Sequence, residues 1–315
     1  MLVPVHAQGP AERAAAVPRH QLPVVLIVAA PAGGSLDRLA TILTPLFAEA
    51  LGKPIAIRND PQAGSAEGLA GVATVHPGEV RIALASNSVV VAARLLGYGA
   101  DMRPLHDFEW IGVLARYPNA VVVRADHPAE TLADWVAWAG KSPRPVRALA
   151  GAPGSMSDLA ARLLADKAKV AFVHELSSDP QAGYDALRRG TIDVVIDGLP
   201  HALAEAGRGD VRIVGVTSPA RSPALPLVTA FGESWPGEDF SVLALVATSA
   251  AETPEVRAAI RRAWQQVAHT AAAEAAFAHV GAALVVSSER PARDVLEEAF
   301  LRHASLIARF PPRRR

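Results

Sequence analysis

The chain has 315 residues, half of them hydrophobic and a fifth charged, which describes a folded globular protein with room for two domains of roughly 100–200 residues each. Lysine plus arginine balance aspartate plus glutamate at a formal net charge of +0, so no global field draws in nucleic acid or an anionic membrane. The absence of cysteine excludes disulfides, thiolate metal ligands and a cysteine nucleophile, and leaves the compartment open.

Residues 1–21 read as a flexible tail or the remnant of a signal peptide. Val5-His6-Ala7 before Gln8 has the small-x-small look of a signal-peptidase site, but no apolar stretch precedes it. Arg13, Arg19 and His20, followed by Leu22–Ala30 and Ala30-Pro31-Ala32, imitate a complete signal peptide. Cleavage there would remove the strand behind Gly33 and Gly34, and the run is far shorter than the ~20 residues of a membrane span.

Val24–Asp37 is the most informative stretch. An unbroken apolar run suits a strand buried on both faces. Pro31-Ala32-Gly33-Gly34-Ser35 then makes a tight turn into a segment, Leu36 to Ala50, with apolar residues at helical spacing. Glycine permits positive φ and lets a ligand approach the backbone, and the first helical turn points unpaired N–H groups into the space above the strand. Such a place attracts carboxylates or phosphates. The alternative reading is a tight connection that needs glycine for geometry alone. Asp37 either contacts a ligand or complements the helix N-terminus.

Ile55–Arg58 is a second strand, Ser65–Val75 a short helix, and Arg81–Ala85 a third strand that ends in Ser86-Asn87-Ser88 before the helical run Val89–Leu96. Polar residues just past a buried strand sit where open α/β sheets place ligands. After the loop Gly97–Pro104, strands are expected at Trp110–Leu114 and Ala120–Arg124, and a helix capped by Thr131 that carries Trp135 and Trp138. Val146–Ala150 then runs into Gly151-Ala152-Pro153-Gly154-Ser155-Met156-Ser157-Asp158 and the helix Leu159–Lys169, which repeats the opening design. One such loop per domain would grip an acid from both sides.

Further on come a helix at Gln181–Arg189 and a strand at Ile192–Ile196 ending in Asp197-Gly198-Leu199-Pro200, where Asp197 either accepts from a ligand or caps the turn. Strands follow at Val211–Val216 and Phe240–Ala247, then an amphipathic helix opened by Thr253-Pro254-Glu255 with Val256, Ile260, Trp264 and Val267 on one stripe. Ala283–Val286 is the last strand, Pro291–Ala308 the closing helix, and Arg313–Arg315 a solvated tail. The tryptophans at 135, 138 and 264 read as core, and Trp235 as a weak candidate for a cleft wall.

No P-loop lysine, GxGxxG or GxSxG occurs. Gly154-Ser155-Met156-Ser157-Asp158 lacks the second glycine of a nucleophile elbow, and His174-Glu175 lacks a second histidine at helical spacing. No catalytic residue, metal site or cofactor is therefore expected.

Several segments together resemble the substrate-binding proteins of tripartite tricarboxylate transporters, the Bug or TctC-like receptors. They are Pro31–Asp37, Leu51-Gly52-Lys53-Pro54, Arg58-Asn59, Ala63-Gly64, Ser86-Asn87, Gly190–Pro200 and Val216–Pro226, in the family's order over roughly Leu22 to Ala308. The resemblance implies a type II periplasmic binding protein fold: two α/β domains, 22–123 plus 240–315 and 124–239, joined by two crossing strands around a ligand cleft. It implies a monomeric periplasmic receptor that delivers a small organic acid to the family's membrane subunits or to a sensor kinase. The alternative is a cytosolic α/β enzyme acting on a phosphorylated or acyl substrate. Carried over, the ligand-binding residues are Ala32, Gly33, Gly34, Ser35 and Asp37 on the first loop and Gly154, Ser155, Met156 and Ser157 on the second. Ser86, Asn87, Ser88 and Asp197 line the remainder.

Two positions depart from the family's pattern. Ser157-Asp158-Leu159 stands where the family has Ser-His-Leu, and Glu175-Leu176-Ser177-Ser178 where it has Pro-Tyr-Lys/Arg-Gly. Unless Asp158 faces away, its carboxylate is expected to repel an anion, which points to a ligand less acidic than a tricarboxylate or one with an amino group.

Overall fold

The computed structural model describes residues 17–97, 102–176, 179–268, 270–285 and 291–311. Residues 1–16 of the tail expected at 1–21, part of the loop at 98–101, Ser177 and Ser178, Val286 and Arg313–Arg315 lie outside the described residues, whereas Arg19–Gln21 form a 3-10 turn tied down by Arg19 to Glu252 and His76 O rather than a flexible tail.

In chain order the strands are β1 (Val24–Val28), β2 (Ile55–Asn59), β3 (Val80–Ser86), β4 (Phe108–Tyr117), β5 (Asn119–Arg124), β6 (Val146–Ala150), β7 (Phe172–Leu176), β8 (Val194–Gly198), β9 (Val211–Val216), β10 (Val242–Ser249) and β11 (Ala283–Leu284). The helices are α1 (Ser35–Leu51), α2 (Ala66–Ala70), α3 (Asn87–Leu96), α4 (Leu132–Gly140), α5 (Met156–Ala168), α6 (Pro180–Arg188), α7 (Leu199–Ala206), α8 (Phe231–Ser234), α9 (Pro254–Ala268), α10 (Ala271–His279) and α11 (Ala292–Arg309).

Two mixed sheets result, ordered β11-β4-β10-β3-β1-β2 and β7-β6-β8-β5-β9. In each, parallel pairs carry the βα loops, β1 with β2 and β3 in the first and β6 with β7 and β8 in the second. All five residues of β1 are buried, as the unbroken apolar run requires of a strand covered on both faces. Leu36, Leu39, Ala40, Leu43 and Phe47 form the buried stripe of α1, at the spacing that holds one helix face on the sheet.

The chain passes from the first sheet to the second at Pro118, earlier than the expected boundary at Val123. β5 pairs with β8 and β9 on either side, so Val121–Arg124 lie inside the second sheet and are not the crossing itself. Asn119 and Thr217 knit the crossing: Thr217 N–H donates to Asn119 O (2.9 Å), Asn119 N–H to Thr217 Oγ1 (2.8 Å), and Asn119 Nδ2 to Phe240 O (3.0 Å). Phe240 N–H returns the bond to Thr217 O, just before β10 re-enters the first sheet.

The strand β7 and the helices α7 and α10 carry too weak a signal to stand out in the sequence. In β7, buried Phe172 precedes exposed Val173 and then the polar pair His174-Glu175, an edge pattern with little apolar periodicity. In α7, Pro200 at the first turn looks like a turn residue but is compatible with N1 or N2 of a helix.

Candidate functional site

The two loops singled out in the sequence share one backbone design. Gly33 and Gly154 both adopt left-handed φ, 78° and 76°, immediately before the N-caps of α1 and α5. Each donates its N–H to the carboxylate of the aspartate four residues on: Gly33 to Asp37 Oδ2 and Gly154 to Asp158 Oδ2, both at 2.8 Å. That aspartate occupies N3 of its helix, where a negative charge also complements the helix dipole. Asp37 and Asp158 thus hold their turns in place, and the N–H groups of Gly33 and Gly154 are committed to them.

The surroundings differ. Asp37 Oδ1 accepts from Asn59 Nδ2 at the end of β2 (2.9 Å), and Arg38 Nε donates to Gly33 O (3.1 Å). Asp158 is fully buried and takes a bidentate pair from Arg162, Nε to Oδ2 and Nη2 to Oδ1, both at 3.0 Å. His174 Nδ1 lies 3.5 Å from Asp158 Oδ1. The carboxylate expected to repel an anion is therefore turned inward and neutralised, through an i,i+4 partner that the sequence contains but that was not singled out.

The helix N-termini differ as well. Gly34, the N-cap of α1, has no side chain to cap with, and the N–H groups of Ser35, Leu36 and Asp37 meet no protein acceptor among the described residues. In α5, Ser155 Oγ accepts from Asp158 N–H (3.2 Å), and Met156 N–H donates to Ser88 Oγ (3.1 Å) across from the first sheet's side. Ser157 Oγ accepts from Gly151 N–H (3.0 Å) and lies 3.2 Å from Ser155 Oγ.

Ser35 reaches the other way: its Oγ accepts from His201 N–H (3.3 Å), in the first turn of α7. The two sides meet again where His303 Nε2–H of α11 donates to Gly154 O (2.6 Å). Burial lowers the His303 pKa, and its Nδ1 has no partner among the described residues.

Of the other expected ligand residues, Ser86 Oγ accepts from Val89 N–H (3.2 Å) at the start of α3, and Asn87 Oδ1 accepts from Leu243 N–H (3.0 Å), tying α3 to β10. Ala32 is exposed and Met156 is buried. Asp197 ends β8 and accepts from Gly198 N–H at Oδ1 (2.7 Å), and from Tyr184 OH (3.2 Å) and His201 Nδ1–H (2.6 Å) at Oδ2. Burial raises the Tyr184 and Tyr117 pKa values, and the nearby Asp197 charge adds to both shifts. Trp235 packs edge-on against Phe231, ring centroids 5.0 Å apart, in an aromatic cluster with Phe240. The supporting residues Asn59, Arg162, Tyr184, His201 and His303 were not singled out as site residues. For Arg162 and His201 the i,i+4 spacing from an aspartate was the available signal.

The arrangement is that of two strand–glycine–helix loops of one design, one per sheet, meeting across an interface. The profile of the tripartite tricarboxylate transporter family receptor matches residues 40–310. The chain belongs to this family. It is 31% identical over 216 residues to an Agrobacterium vitis protein encoded in the TAR-I ttuE-ttuC′ intergenic region, a match covering 67% of this chain and 61% of that relative's length. Among solved structures it superposes on the periplasmic binding protein BugD with a TM-score of 0.81 at 20% identity, covering 92% of this chain and 97% of that one. MatC from Rhodopseudomonas palustris, solved with bound malate, gives a TM-score of 0.79 at 20% identity over 91% of this chain and 99% of its own. The two-sheet α/β architecture is thus that of the periplasmic binding proteins. Among the described residues, no helix is long and apolar enough to cross a membrane, and no group of three or more His, Asp or Glu is placed to hold a metal ion.

Proposed function

We propose that this family receptor works outside the cytoplasm as a monomer, capturing a small organic acid between the domains built on its two sheets and passing it to the family's membrane subunits without chemistry of its own. The observation that carries the reading is the uncapped N-terminus of α1. Three N–H groups at the positive end of a helix dipole stand beside a glycine N-cap, Ser88 lies on the same side at the start of α3, and the opposing side supplies Ser157 and Asp197. Malate bound to MatC supports a carboxylate as the ligand. Contacts drawn from both domains exist only when they are closed, and that differential affinity shifts the population.

An enzymatic reading finds no support in the geometry. Ser35, His201 and Asp197 lie together in a way that suggests a triad, but Ser35 meets the backbone N–H of His201. The imidazole is engaged elsewhere, Nδ1 with Asp197 and Nε2 at 3.7 Å from Glu205 Oε1, so this imidazole does not face the hydroxyl as a base.

The test is a thermal-shift screen over mono-, di- and tricarboxylates, amino acids and phosphorylated metabolites, with Gly34→Val as the control. A ligand at one hundred times its dissociation constant adds about 2.7 kcal/mol. The expected result is a shift with a carboxylate that disappears in Gly34→Val, which adds a branched side chain at the N-cap of α1. A shift with phosphorylated compounds alone, or an unchanged affinity in the variant, overturns the reading.

A further inference from the structure

Asp197 is placed at the meeting point of the two sides. An added Cβ on the neighbouring Gly198 would lie 2.3 Å from Ser35 Oγ and 3.0 Å from Tyr117 Cε2, so the end of β8 abuts the first anion loop. The Asp197 side chain keeps a quarter of its surface exposed. A carboxylate offers about four acceptor positions, two per oxygen. Oδ2 takes both Tyr184 OH and His201 Nδ1–H, whereas among the described residues Oδ1 takes only Gly198 N–H and retains room for one more donor.

His201 sets this geometry. It is buried, and because a carboxylate only accepts, Nδ1 carries the proton toward Asp197. On its far side Nε2 faces Glu205, which is itself held by Arg188 (2.7 Å) and Arg208 (3.2 Å). The Tyr184 ring stands edge-on to the imidazole with centroids 5.0 Å apart. The ring is therefore locked in a column, Asp197–His201–Glu205, that runs along α7 and fixes which oxygen of Asp197 stays open.

Building on the receptor reading, we propose that His201 is a positioning residue for specificity: by saturating Asp197 Oδ2 it leaves Oδ1 as a fixed acceptor, so the cleft selects an organic acid that also carries an amino or hydroxyl donor. Acids bearing carboxylates alone would present like charge to Asp197 and leave its open acceptor unmatched. The second loop offers no compensation, since Arg162 is bound at both oxygens of Asp158.

Isothermal titration with two matched series tests this: propionate, lactate and alanine, and succinate, malate and aspartate. Within whichever series binds, the donor-bearing acids should be tighter by about tenfold or more, the scale on which a site that leaves a buried polar group unpaired rejects a ligand. His201→Ala, which keeps the backbone N–H to Ser35, should reduce that ratio to under about threefold. His201→Asn, whose side-chain amide takes the place of Nδ1–H, should retain it, and Asp197→Asn should abolish it. Should His201→Ala fail to fold, Asp197→Asn carries the same test. Binding without discrimination, or discrimination unchanged in either His201→Ala or Asp197→Asn, overturns this proposal and leaves the receptor reading standing. Failure of every acid in the wider screen overturns both.

Discussion

The first and second strand–glycine–helix loops share a left-handed glycine, an N3 aspartate and a helix, yet the same chemistry ends in opposite surroundings. The first loop holds itself with weak, partly exposed contacts from Asn59 and leaves the N-terminus of α1 open. The second buries an Arg162–Asp158 pair, caps α5 with its own Ser155 and receives Ser88 from the other side. A helix dipole whose N–H groups are already satisfied has less to offer an anion. The contrast is between a first loop whose helix N–H groups meet no protein acceptor among the described residues and a second whose helix start is engaged in contacts within its loop and with the other side.

Removing the two aspartates in turn should expose this difference most strongly. Asp158→Ala leaves Arg162, 15% exposed, without its counter-ion and Gly154 N–H without an acceptor, and should cost about 3–5 kcal/mol. Asp37→Ala breaks bonds that water can replace and should cost about 1 kcal/mol. Urea unfolding measures both, and equal losses would refute the contrast.

Alanine at each left-handed glycine is the next largest test. Both substitutions should cost about 1–2 kcal/mol in backbone strain. At Gly33 the new Cβ meets nothing within 4 Å, whereas at Gly154 it would come within 2.6 Å of Leu96 Cδ1 on α3. Gly154→Ala should therefore cost more than Gly33→Ala by the repacking of Leu96, about 1 kcal/mol in urea unfolding, and equal costs would show that Leu96 yields freely.

A smaller effect is expected from the hydroxyls that cross the interface. Ser35→Ala removes a cap on α7 supplied by the first side and Ser88→Ala one on α5, each worth about 1 kcal/mol at most. Fluorescence energy transfer between labels on the two sides should show a lower closed population in the double variant without ligand, with Ser88→Thr retaining it.

Much of this was legible in the sequence. The strand–glycine–helix punctuation of both loops is local chemistry: an apolar run, a residue that tolerates positive φ, and returning helical periodicity. The partners were less accessible, because Asn59, Arg162 and His303 meet their loops only after two strands, a helical turn and the last helix have packed. Asp158 shows the limit most clearly. One carboxylate near an anion site reads as repulsion until Arg162, one turn on, and the Gly154 N–H are seen to claim it. The crossing was hidden for a different reason: Tyr117-Pro118-Asn119 marks a break between two apolar strands, but nothing local shows that the second strand joins another sheet.

The effect that is smallest at neutral pH concerns the imidazole joining the two sides. Burial depresses the pKa of His303 in the folded state below its ordinary value near 6.5, while its Nε2–H is held by Gly154 O. Above that ordinary value His303 is neutral in both states and titration contributes nothing to stability. As the pH falls below it, the unfolded chain takes up the proton first, so stability is lost progressively between the unfolded and the depressed folded pKa. His127, whose pKa burial also lowers, acts with the same sign. The slope belonging to His303 is therefore read as the difference between wild type and His303→Gln, an amide that can still donate but does not titrate. Melting temperatures of the two should run parallel above pH 7 and diverge toward pH 5, with the wild type falling faster. Parallel curves over the whole range would mean that the imidazole is not held neutral at this interface.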